Sequence, residues 1–337
     1  MSDAIPEHRT TAPKPVAMPD IPAQLRALMA ELGPKWRENT AGHVDIMITA
    51  FSDVLKQAPR DGITVHPDIP YGSHERQQID VFLPNEKVGK PPVVLFVHGG
   101  AFVSGHRNRT EQVYSNVLCY LAQRGIAGIN IGYRLATHAT YPGATEDIAT
   151  VVDWARAHAS KYGWDPDKIF LMSHSAGAAH AGSYGYDPAF TTGRPPLAGM
   201  IVVSGRVRID NLPENPNANK VEQYYGKDAS KFDAYSPVHH IDKNSVPTFV
   251  AWAEPSSLLC QPESDVTPPP ARNPGIQSTR CATTSRATQP GTGAGASQSR
   301  TPSTRSEKVP ATQAWRSDGF TPRSRRSAPD RASRSPG

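Results

Sequence analysis

The sequence predicts a doubly wound α/β fold with a mostly parallel sheet, followed by a long segment without regular structure. Between residues 93 and 252, five short apolar runs recur, as expected of strands covered on both faces of a parallel sheet. Stretches with the 3.6-residue period of amphipathic helices separate these runs. From residue 255 to 337, Ser, Thr, Pro, Arg, Ala and Gly dominate and aliphatic residues are sparse. Such a segment cannot bury enough surface to offset the entropy of ordering, so we expect a disordered tail.

The elements follow from these patterns in chain order. Apolar spacing over residues 23 to 57, interrupted at Gly33-Pro34, predicts two amphipathic helices. Ile63–His66 and Gln78–Phe82 predict an antiparallel pair of strands. The five core strands are predicted at Val93–Val97, Ala127–Ile131, Ile169–Met172, Met200–Val203 and Thr248–Trp252. Helices are predicted at Thr110–Arg124, Ala144–Tyr162 and Ala178–Tyr184. Repeated strand–helix–strand units of this kind build a doubly wound domain.

The net charge of +5 does not indicate a nucleic-acid surface. Residues 255–337 hold 12 Lys and Arg against 5 Asp and Glu, which leaves a balance of −2 for residues 1–254. No apolar run is long enough to span a membrane, and the polar, proline-rich start has no signal-like core. Three cysteines without metal-ligand spacing fit a reducing compartment. We therefore expect a cytoplasmic protein that binds neither nucleic acid nor membrane.

A candidate nucleophile lies in the stretch Phe170-Leu171-Met172-Ser173-His174-Ser175-Ala176-Gly177. Ser175 follows a buried strand and precedes a helix of small residues, which is the setting of a nucleophile elbow. Such a turn needs small residues two positions to either side, because strand and helix approach closely there. Gly177 meets this need, and Ser173 stands where a glycine is more usual. Alone, this pattern is also that of an ordinary strand-to-helix turn.

A second motif, Val97-His98-Gly99-Gly100-Ala101-Phe102, follows the first long buried strand. Its glycines allow backbone N–H groups to point at one spot. Together with the N–H of Ala176, the N–H groups of Gly99 and Gly100 would form an oxyanion hole. We expect His98 to organise this loop through hydrogen bonds and not to act as a base.

Three further stretches lie between the two motifs: Gly132-Tyr133-Arg134-Leu135-Ala136, Tyr141-Pro142-Gly143-Ala144 and Asp165-Pro166-Asp167-Lys168-Ile169. Together with the two motifs, they resemble the carboxylesterases of the hormone-sensitive-lipase and kynurenine-formamidase-like group. The resemblance covers about residues 60 to 254. It implies an α/β-hydrolase fold and an ester hydrolase, or an arylformamidase, that acts on a small-molecule substrate and needs no metal or organic cofactor. It also implies that the helices before residue 60, with or without residues 208 to 240, form a cap over the site, although simple packing on the sheet would explain the first helices equally well. We thus expect an N-terminal arm with cap helices (1–59), a hydrolase core (60–254) and a tail (255–337).

The resemblance ends where the fold would place its acid and its histidine. The order in this fold is Ser, acid, His, with the acid after the strand at Thr248–Trp252. Glu254 stands near the acid position, but it fits an exposed strand end as well. All twelve histidines lie at or before His240, so no triad histidine is present. His239 and His240 precede the strand and fit a surface turn.

The abrupt change of composition after residue 254 is what a reading-frame shift would produce. It would remove the last strand and helix of the fold, so the C-terminal part of the fold is expected to be missing. Three functions remain open: an esterase acting through an acyl-enzyme, an aryl-formamide or amide hydrolase on the same scaffold, and a catalytically inactive α/β-hydrolase-fold binding protein. A basic tail that contacts nucleic acid or a membrane surface is disfavoured by its few aromatic residues.

Overall fold

The structure is a computed structural model that describes residues 21–36, 38–86 and 88–253, together with one strand at 276–281. Most of the segment 255–337, and Glu254 with it, lies outside them, and the predicted boundaries at 59/60 and 254/255 stay predictions.

In the described residues, the strands form one eight-stranded sheet in the order 1-2-4-3-5-6-7-8. The strands are β1 (Ile63–Pro70), β2 (Gln78–Pro84), β3 (Val93–Val97), β4 (Ala127–Ile131), β5 (Ile169–His174), β6 (Gly199–Val203), β7 (Thr248–Ala253) and β8 (Ile276–Cys281). The first strand pairs antiparallel with β2, and β2 pairs antiparallel with β4. All other pairs are parallel. The predicted strands and the mostly parallel α/β fold are confirmed, with small shifts at the strand ends.

One strand was not expected. Residues 276–281 were predicted to lack regular structure as part of the tail. That prediction is wrong, because these residues form β8. The strand pairs in parallel with β7, and Ile276 lies opposite Thr248. Without β8, the edge of β7 would present unpaired backbone N–H and C=O groups. Pairing with such an edge requires only extended backbone, so a sequence without an apolar pattern can supply it.

Two helices precede the sheet, α1 (Ala23–Leu32) and α2 (Thr40–Lys56), as predicted. The Asn39 side chain caps α2 by accepting a hydrogen bond from the Gly42 N–H at 3.1 Å. The helices after β3 are α3 (Ser115–Ala122), α4 (Gly143–Ala157), α5 (Ala159–Tyr162), α6 (Gly177–Tyr186), α7 (Pro188–Thr191), α8 (Ala218–Tyr225) and α9 (Phe232–Tyr235). In the described part of the chain, no helix is long and apolar enough to cross a membrane.

The helix predicted at Thr110–Arg124 is shorter in the structure. It begins only at Ser115, because the Thr110 hydroxyl accepts hydrogen bonds from the N–H groups of Gln112 and Val113 at 3.2 and 3.0 Å. Local bonds of this kind compete with the helical ones. The helix predicted at Ala144–Tyr162 is divided at His158 into α4 and α5.

The two faces of the sheet are covered unequally. On one face, α4, α6 and α8 pack against side chains such as Leu95, Ile129 and Leu171, which are completely buried. On the other face, α3 packs beside β3, where Phe96 and Leu118 are buried together. Farther along this second face lies an apolar groove of about 460 Å³, formed by α3 and side chains of β3, β5 and β6.

Candidate active site

Ser175 occupies the tight turn between β5 and α6. Its φ of 54° lies in the left-handed region, which residues other than glycine rarely adopt. Hydrogen bonds hold this conformation: the Ser175 N–H donates to the Val203 carbonyl at 3.1 Å, and the Ser175 carbonyl accepts from the Ala178 N–H at 3.0 Å. Strained backbone persists where the surroundings determine it, and it concentrates at functional sites.

The backbone segments around this turn lie in very close contact. A Cβ atom on Gly177 would lie 2.5 Å from the His98 carbonyl oxygen and 2.6 Å from that of Val97. A Cβ atom on Gly99 would lie 2.8 Å from the Cβ atom of Ser175. Ser173 is completely buried, and its hydroxyl donates to the Ile201 carbonyl at 3.4 Å. Small residues are therefore required here by contact between backbones, and a serine fits at 173 because its hydroxyl finds an acceptor.

The loop after β3 passes directly beside Ser175 and is itself strained. The φ angles of Gly100, Ala101 and Phe102 are 149°, 49° and 73°. The N–H groups of Gly100, Ala101 and Ala176 donate no hydrogen bond to any described residue. Buried or enclosed N–H groups are rarely left unpaired, and several of them around one spot form an anion-binding concavity. The sequence motif gave no reason to include Ala101.

His98 is completely buried in this loop. Its Nδ1 donates to the Gly99 carbonyl at 2.7 Å, and the Tyr133 hydroxyl donates to the His98 carbonyl at 2.8 Å. The rings of His98 and Tyr133 stack with their centroids 4.3 Å apart. Burial lowers the pKa of His98 to about 3, so the ring is neutral near neutral pH. These contacts fit a loop organiser.

Sequence reasoning missed a cluster of three side chains next to Gly99. The Tyr114 hydroxyl lies 3.4 Å from Nδ1 of His174, the residue that precedes Ser175. Burial lowers the pKa of His174, and so does the positive charge of Arg109. Desolvation raises the pKa of Tyr114, against the smaller effect of the nearby Arg109. The three residues lie far apart in the sequence without a shared motif, so only the position of His174 beside the serine could have drawn attention to them.

Arg109 also connects this cluster to α2. Its Nη2 atom lies 2.8 Å from the Asp45 carboxylate, and α2 has no completely buried side chain. The helix is thus attached to the loop that precedes α3. This position is compatible with a cap near Ser175, which stays a prediction.

The structure does not bring the late histidines to Ser175. His240 Nε2 contacts the Ala234 carbonyl at 2.8 Å and lies 3.7 Å from the carboxylate of Asp187, the residue that follows α6. Because α6 rises about 1.5 Å per residue, this end of the helix lies roughly 15 Å from the elbow. His239 Nδ1 contacts the Asp233 carbonyl at 3.1 Å. Of the described histidines, none hydrogen-bonds to the Ser175 hydroxyl, and β7 ends at Ala253, directly before Glu254.

The sheet order and the strained serine between β5 and α6 define an α/β-hydrolase fold. Residues 79–190 match the BD-FAE family. Over 108 residues the chain is 40% identical to esterase LipC of Mycobacterium tuberculosis, a match that covers 32% of this chain and 26% of that one. Over 115 residues it is 34% identical to a probable isoprenylcysteine alpha-carbonyl methylesterase of Arabidopsis thaliana, covering 34% and 23% of the two chains. The predicted resemblance to carboxylesterases of the hormone-sensitive-lipase-like group is confirmed.

Solved structures agree on the fold. Esterase B from Lactobacillus rhamnosis superimposes with a TM-score of 0.53 at 18% identity, covering 69% of this chain and 76% of that one. The chain spans only about a quarter of the length of the curated relatives named above.

Proposed function

We propose that this protein is a serine hydrolase that cleaves carboxylic esters through an acyl-enzyme intermediate, with Ser175 as the nucleophile. The observation that carries the proposal is the strained Ser175 beside the unpaired N–H groups of Gly100, Ala101 and Ala176. Similarity to esterases over the segment that holds both motifs supports it.

In the proposed reaction, Ser175 Oγ bonds to the ester carbonyl carbon, and the electron pair of the C=O bond moves to oxygen. The unpaired N–H groups of Gly100, Ala101 and Ala176 stabilise this oxyanion, whereas the Gly99 N–H, which the sequence motif also suggested for this role, faces the Tyr114 hydroxyl. Each such donor contributes about 3 to 4 kcal/mol to lowering the barrier. When the oxyanion collapses, the C–O bond to the leaving group breaks, and the leaving group takes up the proton lost by Ser175 and departs as the alcohol. Water then hydrolyses the acyl-serine to the carboxylic acid and the free serine. No step requires a metal or an organic cofactor.

The proton of Ser175 needs an acceptor, and here the chain departs from a complete site. A serine hydroxyl is a weak nucleophile unless a neighbouring base takes its proton. In the described residues no histidine is placed to do so, and Glu254, the proposed acid, has no histidine after it in the sequence. We therefore expect the chain as written to retain only residual catalysis, of the order of 10³ to 10⁴ over water.

This departure favours a second candidate, a catalytically inactive protein that binds an ester-like ligand with the same site. Both candidates would bind an ester-like ligand at this site, but only the hydrolase would convert it to product. An aryl-formamide or amide hydrolase would use the same serine and differ only in the leaving group. The cytoplasmic location stays a prediction.

Turnover of 4-nitrophenyl acetate and butyrate tests the proposal on two versions of the protein. One is the chain as written, and the other has the reading frame after residue 254 altered so that a downstream histidine is encoded. We expect the second version to turn over and to lose activity in S175A, while the first is nearly inactive. Failure of both versions on short esters would remove the esterase proposal, and aryl formamides would be tested next. Activity of the chain as written that disappears in S175A would show a base other than a triad histidine.

A further inference from the structure

The end of β6 and the residues that follow it form hydrogen bonds with the backbone of Ser175. The Val203 carbonyl accepts the Ser175 N–H at 3.1 Å, and the Arg206 N–H donates to the Ser175 carbonyl at 3.2 Å. The Ser204 N–H is bound in turn to the Ala251 carbonyl of β7 at 2.8 Å. Both backbone polar groups of Ser175 are thus bonded to one short stretch, residues 203–206.

The side chain of Arg206 fixes this stretch. It is 4% exposed, and its two terminal nitrogens bind different residues: Nη1 lies 2.8 Å from the Asp210 carboxylate, and Nη2 donates to the Asn215 side-chain oxygen at 3.1 Å. The Asn215 side-chain nitrogen donates back to the Asp210 carbonyl at 2.7 Å and to its carboxylate at 2.9 Å. A planar guanidinium with two fixed partners is held in one orientation.

We propose that Arg206 is a positioning residue for the nucleophile: its buried guanidinium fixes the backbone of residues 203–206, and that backbone holds Ser175 in its left-handed conformation. The inference rests on the proposed role of Ser175. A residue with a φ of 54° relaxes toward ordinary backbone angles unless its surroundings prevent this. Loss of the guanidinium would release the Arg206 N–H from a defined position, and the Ser175 hydroxyl would then sample orientations away from the unpaired N–H groups.

Arg107 provides a matched control. It is as deeply buried as Arg206, at 3% exposed for each residue, and it is also paired with carboxylates: its Nε lies 3.1 Å from Asp80, and it contacts Asp68. It makes no hydrogen bond to Ser175. Substitution of Arg107 therefore removes a buried charge without touching the elbow.

Amide hydrogen exchange on the full chain, followed by mass spectrometry or NMR, tests the inference without requiring activity. In R206M we expect the amides of residues 175 and 206 to exchange at least 10-fold faster than in the wild-type chain, after normalisation to amides of β3. In R107M these two amides should keep their wild-type rates. Equal acceleration in both variants would show a merely structural arginine and overturn the inference. If R206M does not fold, N215A, which removes one guanidinium partner, is measured with the same criterion.

A second measurement separates this inference from the proposed function. The rate at which a fluorophosphonate modifies Ser175 is measured per folded molecule by mass spectrometry. We expect a fall of 10-fold or more in R206M and an unchanged rate in R107M, and an equal rate in both variants would count against positioning. Absence of any adduct even in the version with the altered reading frame, which supplies a downstream histidine, would contradict Ser175 as the nucleophile, while the exchange rates would still decide whether Arg206 holds its backbone.

Discussion

Replacement of Gly177 by alanine measures how tightly the nucleophile turn packs on β3. The added methyl group would lie 2.5 and 2.6 Å from two carbonyl oxygens, those of His98 and Val97. Nonbonded heavy atoms settle near 3.5 Å, so α6 and the end of β3 would have to separate by roughly 1 Å. Both obstacles are backbone atoms, which cannot rotate away.

The energetic effect follows from two opposing contributions. Overpacking of this kind lowers the free energy of unfolding by about 1 to 3 kcal/mol. The higher helix propensity of alanine than of glycine raises it by up to about 1 kcal/mol. We therefore expect G177A to lower the free energy of unfolding by about 1 to 2 kcal/mol. A displacement of roughly 1 Å between the oxyanion loop and Ser175 should also slow fluorophosphonate modification by about 100-fold.

Urea unfolding followed by circular dichroism measures the stability change. The control is G185A in the same helix, where the new methyl group would meet the thioether of Met200, a flexible side chain that can adjust. G185A should therefore lose less stability than G177A. If G177A is as stable as the wild-type chain, or less affected than G185A, the close approach of α6 to β3 is not a constraint and the reasoning fails.

Three other predictions concern ionisable side chains. Burial lowers the pKa values of His98 and His180 to about 3. As the pH falls below about 6.5, these histidines therefore bind protons in the unfolded chain and stay neutral in the folded chain. Each of them should lower the free energy of unfolding by about 1.4 kcal/mol per pH unit. H180F should therefore flatten the decline of stability measured by urea unfolding from about pH 6 to about pH 4, and an unchanged slope would count against a buried neutral His180. D147A should destabilise by roughly 3 kcal/mol in thermal or urea unfolding, because the buried Asp147 carboxylate binds the Arg134 side chain at 2.7 Å and Gln77 at 2.8 Å. D45N should change stability by less than about 1 kcal/mol, because its pair with Arg109 is exposed, and a larger loss would mean that α2 depends on that pair.

The features that the sequence predicted are those with a short-range cause. β3 to β7 were recognisable because burial on both faces leaves an uninterrupted apolar run, and Ser175 because a tight strand-to-helix turn demands small neighbours. The start of α3 was missed because it depends on one hydroxyl, that of Thr110, which competes for backbone N–H groups.

The remaining features depend on which strands become neighbours. The Arg206 N–H reaches the Ser175 carbonyl because β6 pairs beside β5 with Val203 opposite His174, a register that no local pattern encodes. The contact between Tyr114 and His174 likewise joins residues 60 positions apart. β8 was missed for a different reason, since edge pairing requires only extended backbone.

The apolar groove beside α3 should affect the solubility of this protein more than its thermal stability. The core on the opposite face of the sheet is closed and does not depend on the groove. Phe170, Met172 and Ile201 line the groove at the surface. Phe249, which lies opposite Ile201 in the neighbouring strand, is 39% exposed. Apolar patches on a folded surface promote self-association and attract chaperones. The amount of protein recovered from cells should therefore vary with its concentration and with chaperone supply more than with its melting temperature. A charged residue in place of Phe249 should raise the yield while leaving the melting temperature nearly unchanged.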